Sequence, residues 1–152
     1  MTNEELKAKI SSLIPEAEFA DNKQYTDAVI PAGKMHDLCK TLKETYDTAF
    51  DYLFCQSGLD MNNQLMVVYH MTSTIHKHSL VLKVKTSDRQ NPAFDTVCDI
   101  WRTAEFHERE IFDLFGIKFN NHPDLRRIFL DEKWEGYPLR KDYKDEINII
   151  ER

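Results

Sequence analysis

The chain has 152 residues, of which 41% are apolar and 30% charged, with a formal net charge of −6. That length suits one domain around one core, and the composition is ordinary for a globular protein. The negative charge argues against unaided binding to nucleic acid or anionic lipid, because phosphates repel such a surface.

At the N-terminus, "MTNEELKAKI" has neither the basic n-region nor the apolar h-region of a signal peptide, so the expected location is the cytoplasmic side of a membrane. Thr2 and Glu5 form a capping box, and Leu6, Ile10 and Leu13 follow helical spacing until Pro15. "QYTDAVIP" reads as a first strand over residues 24–31. Met35, Leu38, Cys39, Leu42 and Tyr46 recur at three- and four-residue steps and predict a helix over 34–46 with one buried face.

Three strand-like runs follow, at 50–58, 64–73 and 78–86, joined by connections short enough to make neighbours antiparallel. In the last of them Leu80, Leu82 and Val84 alternate with Val81, Lys83 and Lys85, giving a core side and a wetter side. The middle run is apolar on both sides, as expected if helices or a partner cover it. Its apolar stretch, Leu65 to Tyr69, is far below the roughly 20 residues of a membrane span.

Asn91-Pro92 has the favoured start of a helix, with Asn as N-cap and Pro at the first position. Val97, Ile100, Trp101 and Ala104 keep the period up to Phe115, where Gly116 can close the helix in the left-handed region. A bend is expected near residues 102–104. Beyond Ile117 the periodicity stops. The remaining segment, 117–152, balances acids and bases and keeps Trp134, Tyr137 and Tyr143, as expected of an extended segment lying on a surface. The expected fold class is α+β: a mostly antiparallel sheet with helices packed on it, plus a long irregular C-terminal segment, in one domain spanning 1–152.

Several chemistries fail on spacing. The four glycines cannot make a dinucleotide or phosphate loop. Cys39, Cys55 and Cys98 are far apart without a C-x-x-C and suit buried free thiols in a reducing compartment. His70, His76 and His78 could gather on adjoining strands as zinc ligands, yet no cysteine or carboxylate supports them at short spacing. His107 to Glu110 lacks the second histidine of a zinc-protease helix, since position 111 is Ile. Glu108 and Glu110 diverge on a helix and cannot converge on one substrate atom.

An electrostatic pattern survives. Glu105, Arg109 and Asp113 lie one turn apart, so Arg109 is expected to pair along the helix. Glu108 falls on a stripe with Trp101, Phe112 and Phe115, where a carboxylate is costly without a cationic partner. Arg126, Arg127, Arg140 and Lys141 are the candidates to supply it.

Together these motifs resemble a known family. Glu108-Arg109-Glu110, then Asp113-Leu114-Phe115-Gly116, then His122-Pro123-Asp124-Leu125-Arg126-Arg127-Ile128, resemble the signature of the C subunit of NADH-quinone oxidoreductase, the 30 kDa subunit family of respiratory complex I. "EGYPLRKDY", with Pro138, Arg140, Lys141 and Asp142, is similar to that family's closing motif, where His often stands in place of Tyr137. "YHMTSTIHKHSLVLKV" is similar to its central hairpin. One departure is Trp101-Arg102, where relatives often carry Trp-Pro.

The resemblance implies a peripheral-arm subunit with no catalytic residue, cofactor or metal of its own, in a proton-translocating complex that holds NAD, FMN, iron–sulfur clusters and quinone elsewhere. It implies the D subunit and neighbouring peripheral-arm subunits as partners, with no nucleic acid and no membrane insertion, on the cytoplasmic side of a bacterial plasma membrane. Related subunits occur in energy-converting membrane-bound hydrogenases, so that class is the alternative. Phe112, Phe115, Trp134 and Tyr143 are candidate interface anchors.

Overall fold

The computed structural model describes residues 1–144. The expected tail is therefore seen only in part, and its residues 145–152 lie outside the described ones. Helix α1, Asn3–Leu13, opens on the predicted capping box: the Thr2 hydroxyl accepts the Glu5 N–H at 3.2 Å and the Glu5 carboxylate accepts the Thr2 N–H at 2.7 Å. Pro15 disfavours helical geometry at Ile14, which ends the helix in an extended conformation. Ile14, rather than the exposed Leu13, joins Leu6 and Ile10 in the core.

Two strands follow, β1 (Glu18–Phe19), which has no distinct signal in the sequence, and β2 (Thr26–Val29). Helix α2, Ala32–Glu44, buries Met35, Leu38, Cys39 and Leu42 as expected. Tyr46 departs from that expectation. The helix stops before it, the Thr48 hydroxyl donates to the freed Leu42 carbonyl at 2.7 Å, and the tyrosine is left 80% exposed.

Strands β3 (Tyr52–Asp60), β4 (Leu65–Thr72) and β5 (Ser79–Thr86) form the predicted antiparallel meander, with one bulge in β3 between Leu53 and Cys55. The five-stranded sheet has the order β1-β2-β5-β4-β3. Its one parallel pair, β2 with β5, aligns Ala28 with Leu82 and arises because α2, β3 and β4 intervene between the two strands. One sheet face, carrying Ala28, Leu65, Val67, Tyr69, Met71, Leu80, Leu82 and Val84, packs with the helices into the core. Burying each such aliphatic side chain fully contributes about 1.5–3 kcal/mol. The alternating residues, among them Met66, His70, Lys83 and Lys85, fall on the other face.

The expectation of a helix starting at Asn91-Pro92 is corrected by the structure. The Asn91 N–H is taken by the Asp88 carboxylate, and the Pro92 carbonyl accepts from Lys118. Residues Ala93–Asp95 form strand β6, paired in parallel with β7 (Lys118–Asn120), so that buried Phe94 lies beside buried Phe119. The apolar spacing of Val97, Ile100 and Trp101 is met by two turns in which the Ile100 and Trp101 N–H groups share the Val97 carbonyl. Helix α3, Ala104–Phe115, then starts at the position where a bend was expected. Gly116 ends it with φ 73°, and its N–H donates to the Phe112 carbonyl at 2.9 Å, as predicted.

Candidate functional site

Helix α3 is clamped over the strand β3 side of the sheet. The Trp101 indole donates to the Phe50 carbonyl and the Thr103 hydroxyl to the Leu53 carbonyl, each at 3.0 Å, which fixes the helix start. At the far end Phe115 lies so close to Gly58 that a Cβ there would stand 2.6 Å from its ring. Phe115, a candidate interface anchor by sequence, is half-buried and packs in part against the chain's own β3.

Glu108 is fully buried, as anticipated, but its partners are different. Arg126, Arg127, Arg140 and Lys141 form no ion pair with it; the tail residue that approaches it is His122, whose Nε2 lies 3.9 Å from a Glu108 oxygen. One carboxylate oxygen accepts the Val97 N–H at 2.9 Å and the Gln56 amide at 3.4 Å, and the other accepts the Thr96 hydroxyl at 2.5 Å. Desolvation pushes its pKa up, and the three donors oppose that only in part. Glu110, two residues on, is exposed, so the two carboxylates diverge.

The expected ladder of Glu105, Arg109 and Asp113 also takes a different form. Arg109 donates to two tail carbonyls, those of Arg126 at 3.1 Å and Arg127 at 3.0 Å. Asp113 is fully buried and turns to the tail as well. Its Oδ1 accepts the Arg127 guanidinium at 2.9 Å, while its Oδ2 accepts the successive N–H groups of Ile128, Phe129 and Leu130 at 3.2, 2.7 and 3.1 Å. Burial alone would raise the Asp113 carboxyl; the backbone donors and Arg127 outweigh it and hold the pKa below the usual range. One side chain thereby organises a whole turn of irregular chain.

A second strap follows. Tyr137 crosses Gly116 so closely that a Cβ there would lie 2.5 Å from its ring. The Arg127 and Arg140 guanidinium carbons stand 5.1 and 5.2 Å from the Tyr137 ring centroid, within cation–π range. Arg140 donates to the carbonyls of Phe115 and Arg89, at 2.5 and 2.8 Å. Arg89 grips Asp60 with two parallel bonds of 2.8 Å, and Asp60 also accepts the Lys141 N–H at 2.9 Å. The Arg89 guanidinium holds the Asp60 carboxyl far below its ordinary value. Asp142 joins from the far side, 3.5 Å from Arg89. Among the described residues the Arg126 side chain makes only an exposed pair with Asp124, at 3.0 Å.

Sequence reasoning missed Asp60, Arg89 and Thr96 as participants. Only Asp60 offers a local signal, the Asp-x-Asn turn in which it accepts the Asn62 N–H at 2.9 Å.

Two members of the histidine cluster considered as a metal site turn Nε2 to backbone carbonyls, and His78 Nδ1 lies 3.0 Å from the N-terminal amine. His76 Nε2 bonds the Tyr46 carbonyl at 2.6 Å and His78 Nε2 the Thr48 carbonyl at 2.7 Å, while the His70 ring lies 5.8 Å from that of Phe54. A different set of possible ligands gathers unannounced: Cys98, Glu108 and His122, with donor atoms within 4.8 Å of one another. They lie beside a cleft of about 660 Å³ lined by His36, Asp95, Thr96, Cys98, Asp99, Arg102 and Glu105, among others. As placed, these donor atoms are already engaged: Cys98 Sγ lies 2.8 Å from the Thr96 hydroxyl, and both Glu108 oxygens accept the bonds described above. His122 Nδ1 accepts the Asp124 N–H at 3.0 Å, which puts the ring proton on Nε2, facing the Glu105 carbonyl at 3.0 Å. No imidazole lone pair is left for a metal in that arrangement. Of the three thiols Cys39 is buried, whereas Cys55 and Cys98 are half-buried, so the expectation of buried cysteines holds fully for one.

The straps over α3 are built from the same residues that carry the family resemblance, and comparison with known proteins agrees. The family model for the respiratory-chain NADH dehydrogenase 30 kDa subunit matches residues 28–147. The chain belongs to that family. Among its relatives, the fused C/D subunit of NADH-quinone oxidoreductase from Phocaeicola vulgatus is 43% identical over 80% of this chain and 23% of its own length. The C subunit from Chloroherpeton thalassium is 47% identical over 68% of this chain and 43% of its own. The C subunit from Geobacter sulfurreducens is 40% identical over 91% and 85%. The chain thus spans about a quarter of the fused relative, under half of the second, and most of the third. Among solved structures, a chain of the membrane-bound sulfane sulfur reductase, an archaeal respiratory membrane complex, superposes with a TM-score of 0.78 at 25% identity, covering 93% of this chain and 85% of that one. Among the described residues no helix is long and apolar enough to cross a membrane.

Proposed function

We propose that this chain is a non-catalytic peripheral-arm subunit of a proton-translocating NADH-quinone oxidoreductase. It braces the D subunit while electrons pass from NADH through FMN and iron–sulfur clusters to quinone in neighbouring subunits. The location is the cytoplasmic face of a bacterial plasma membrane. One observation supports this reading beyond family membership. The segment after α3 has little regular structure, yet Asp113 and Arg109 hold its backbone, and its own Arg140 reaches back to the Phe115 carbonyl. Two of its large apolar side chains nonetheless face outward, Phe129 being 64% exposed and Leu139 52%, and Phe106 of α3 is 59% exposed. A pinned backbone presenting exposed aromatics is what a preorganised protein contact needs, since little ordering cost is left for binding.

In this reading the signature residues divide by task. Arg109, Asp113, Gly116, Arg127, Arg140 and Lys141 hold the segment, while Phe106, Phe129, Trp134 and Leu139 meet partners. The test is affinity purification of the native complex with its subunits identified by mass spectrometry, for wild type and Arg127→Ala. Recovery of the D subunit with the wild type and its loss with the variant is the expected result. A variant that assembles fully but loses turnover would refute the bracing role.

A second reading draws on the sulfane sulfur reductase chain. The same fold would then serve a related respiratory or hydrogenase complex with another electron donor. Copurification with a nickel-containing large subunit, in place of NADH-oxidising subunits, distinguishes the two.

A further inference from the structure

The two edges of the five-stranded sheet are built differently. On one side β1 is a two-residue strand and offers almost nothing to pair with. On the other side β3 runs nine residues, "YLFCQSGLD", with no proline and no charge before Asp60. Natural edge strands of that length are usually blunted by lysine, proline or a covering element. Here α3 packs on one face of the strand, but the hydrogen bonds that cap its edge are confined to the ends. Trp101 and Thr103 cap the carbonyls of Phe50 and Leu53, the bulge follows at once, and Arg89 and Lys141 close around Asp60.

Between these ends, residues 55–59 keep continuous register with β4, and among the described residues their backbone has no further partner. In an antiparallel strand alternate residues point N–H and C=O away from the neighbour, so this window presents unpaired groups over about 17 Å. Beside it lies a groove of about 330 Å³ between the strand and α3, with Ile111, Leu114 and Phe115 along its wall and Leu139 at one end. Glu110 stands in its lining, exposed and without an ion-pair partner among the described residues.

We propose that an extended segment of the D subunit docks along this window as a sixth strand. It would have an apolar residue at every second position turned into the groove and a basic residue passing Glu110. Backbone groups supply the pairing, and the groove selects alternate side chains. This rests on the assembly reading above. The D subunit is the committed occupant because relatives carry C and D in one polypeptide, of which this chain matches 23%.

Amide hydrogen exchange of the full chain, alone and within the purified complex, tests the idea. Residues 55–59 should exchange at least tenfold more slowly in the complex, with no comparable change at β1. Leu139→Glu and Glu110→Lys alter exposed side chains and should leave thermal melting unchanged, while cutting recovery of the D subunit at least tenfold. If the D subunit is recovered but residues 55–59 exchange as fast as in the isolated chain, the sixth strand is refuted and the assembly reading stands. If the native complex contains no D subunit, both fall together.

Discussion

Asp113→Ala is the sharpest perturbation of the tail. The wild-type carboxylate, buried inside α3, holds the Arg127 guanidinium and three consecutive N–H groups. Truncation leaves three backbone donors unpaired and removes the charge partner of Arg127, whose guanidinium keeps only the carbonyls of residues 113, 134 and 136. Each orphaned donor costs about 1–3 kcal/mol, and breaking a buried ion pair costs about 3–5 kcal/mol. These costs do not add, because the tail can peel away and hydrate its own donors. That escape limits the total to about 3–5 kcal/mol, roughly two to three and a half powers of ten in the local opening equilibrium. The variant should therefore show residues 126–141 exchanging amide hydrogen hundreds of times faster, with β4 and β5 protected as before. Asp113→Asn retains one acceptor oxygen and should fall between the two. Unchanged protection in 126–141 of the alanine variant would refute the tail's dependence on this carboxylate.

Other substitutions separate the remaining contributions. Gly116→Ala forces a left-handed side chain towards the Tyr137 ring and should cost at least about 1–3 kcal/mol in thermal or denaturant unfolding; pairing it with Tyr137→Ala should recover the steric part. Arg126→Ala breaks only the exposed Asp124 pair and should cost under about 1 kcal/mol, whereas Arg127→Ala should cost several-fold more in the same denaturation series. Glu108→Gln addresses pH. The Glu108 pKa is raised above the ordinary 4.5, so the folded state binds its proton more tightly than the unfolded state does. Its contribution is complete below 4.5 and is lost as pH rises through the folded value. The stability of wild type relative to Glu108→Gln should accordingly decline with rising pH, and an incline would show that the donors outweigh burial.

The elements that could be read from sequence were those whose pattern is local. The capping box, the apolar face of α2, the meander and the left-handed Gly116 all follow from neighbouring residues. The false helix at Asn91-Pro92 shows the limit of that approach. Its cap chemistry and apolar spacing are genuine, but Phe94 gains burial beside Phe119, a partner more than twenty positions away, and that pairing selects a strand. The site follows the same division. That Glu108, Arg109 and Asp113 need partners was legible from charges set among aromatics. Which partners they take was not, because Thr96, Gln56 and the backbone of 126–130 reach them only through the fold. The resemblance to the complex I family picked out the strap residues as a group without indicating that Asp113, rather than Arg109, organises the turn.

The parallel pairing of β2 with β5 has a consequence for how the chain comes off the ribosome. The β3–β4–β5 meander can zip up from short loops, but β2 has no seat until β5 exists to receive it, with Ala28 waiting for Leu82. Helix α1 packs on β2 and must wait too. The stretch from α1 to β2 is therefore placed late in folding although it precedes β5 in the chain, because joining distant segments is the slow step. Until then the β5 edge stands open, which makes the nascent chain, rather than the finished subunit, the form most prone to mispairing.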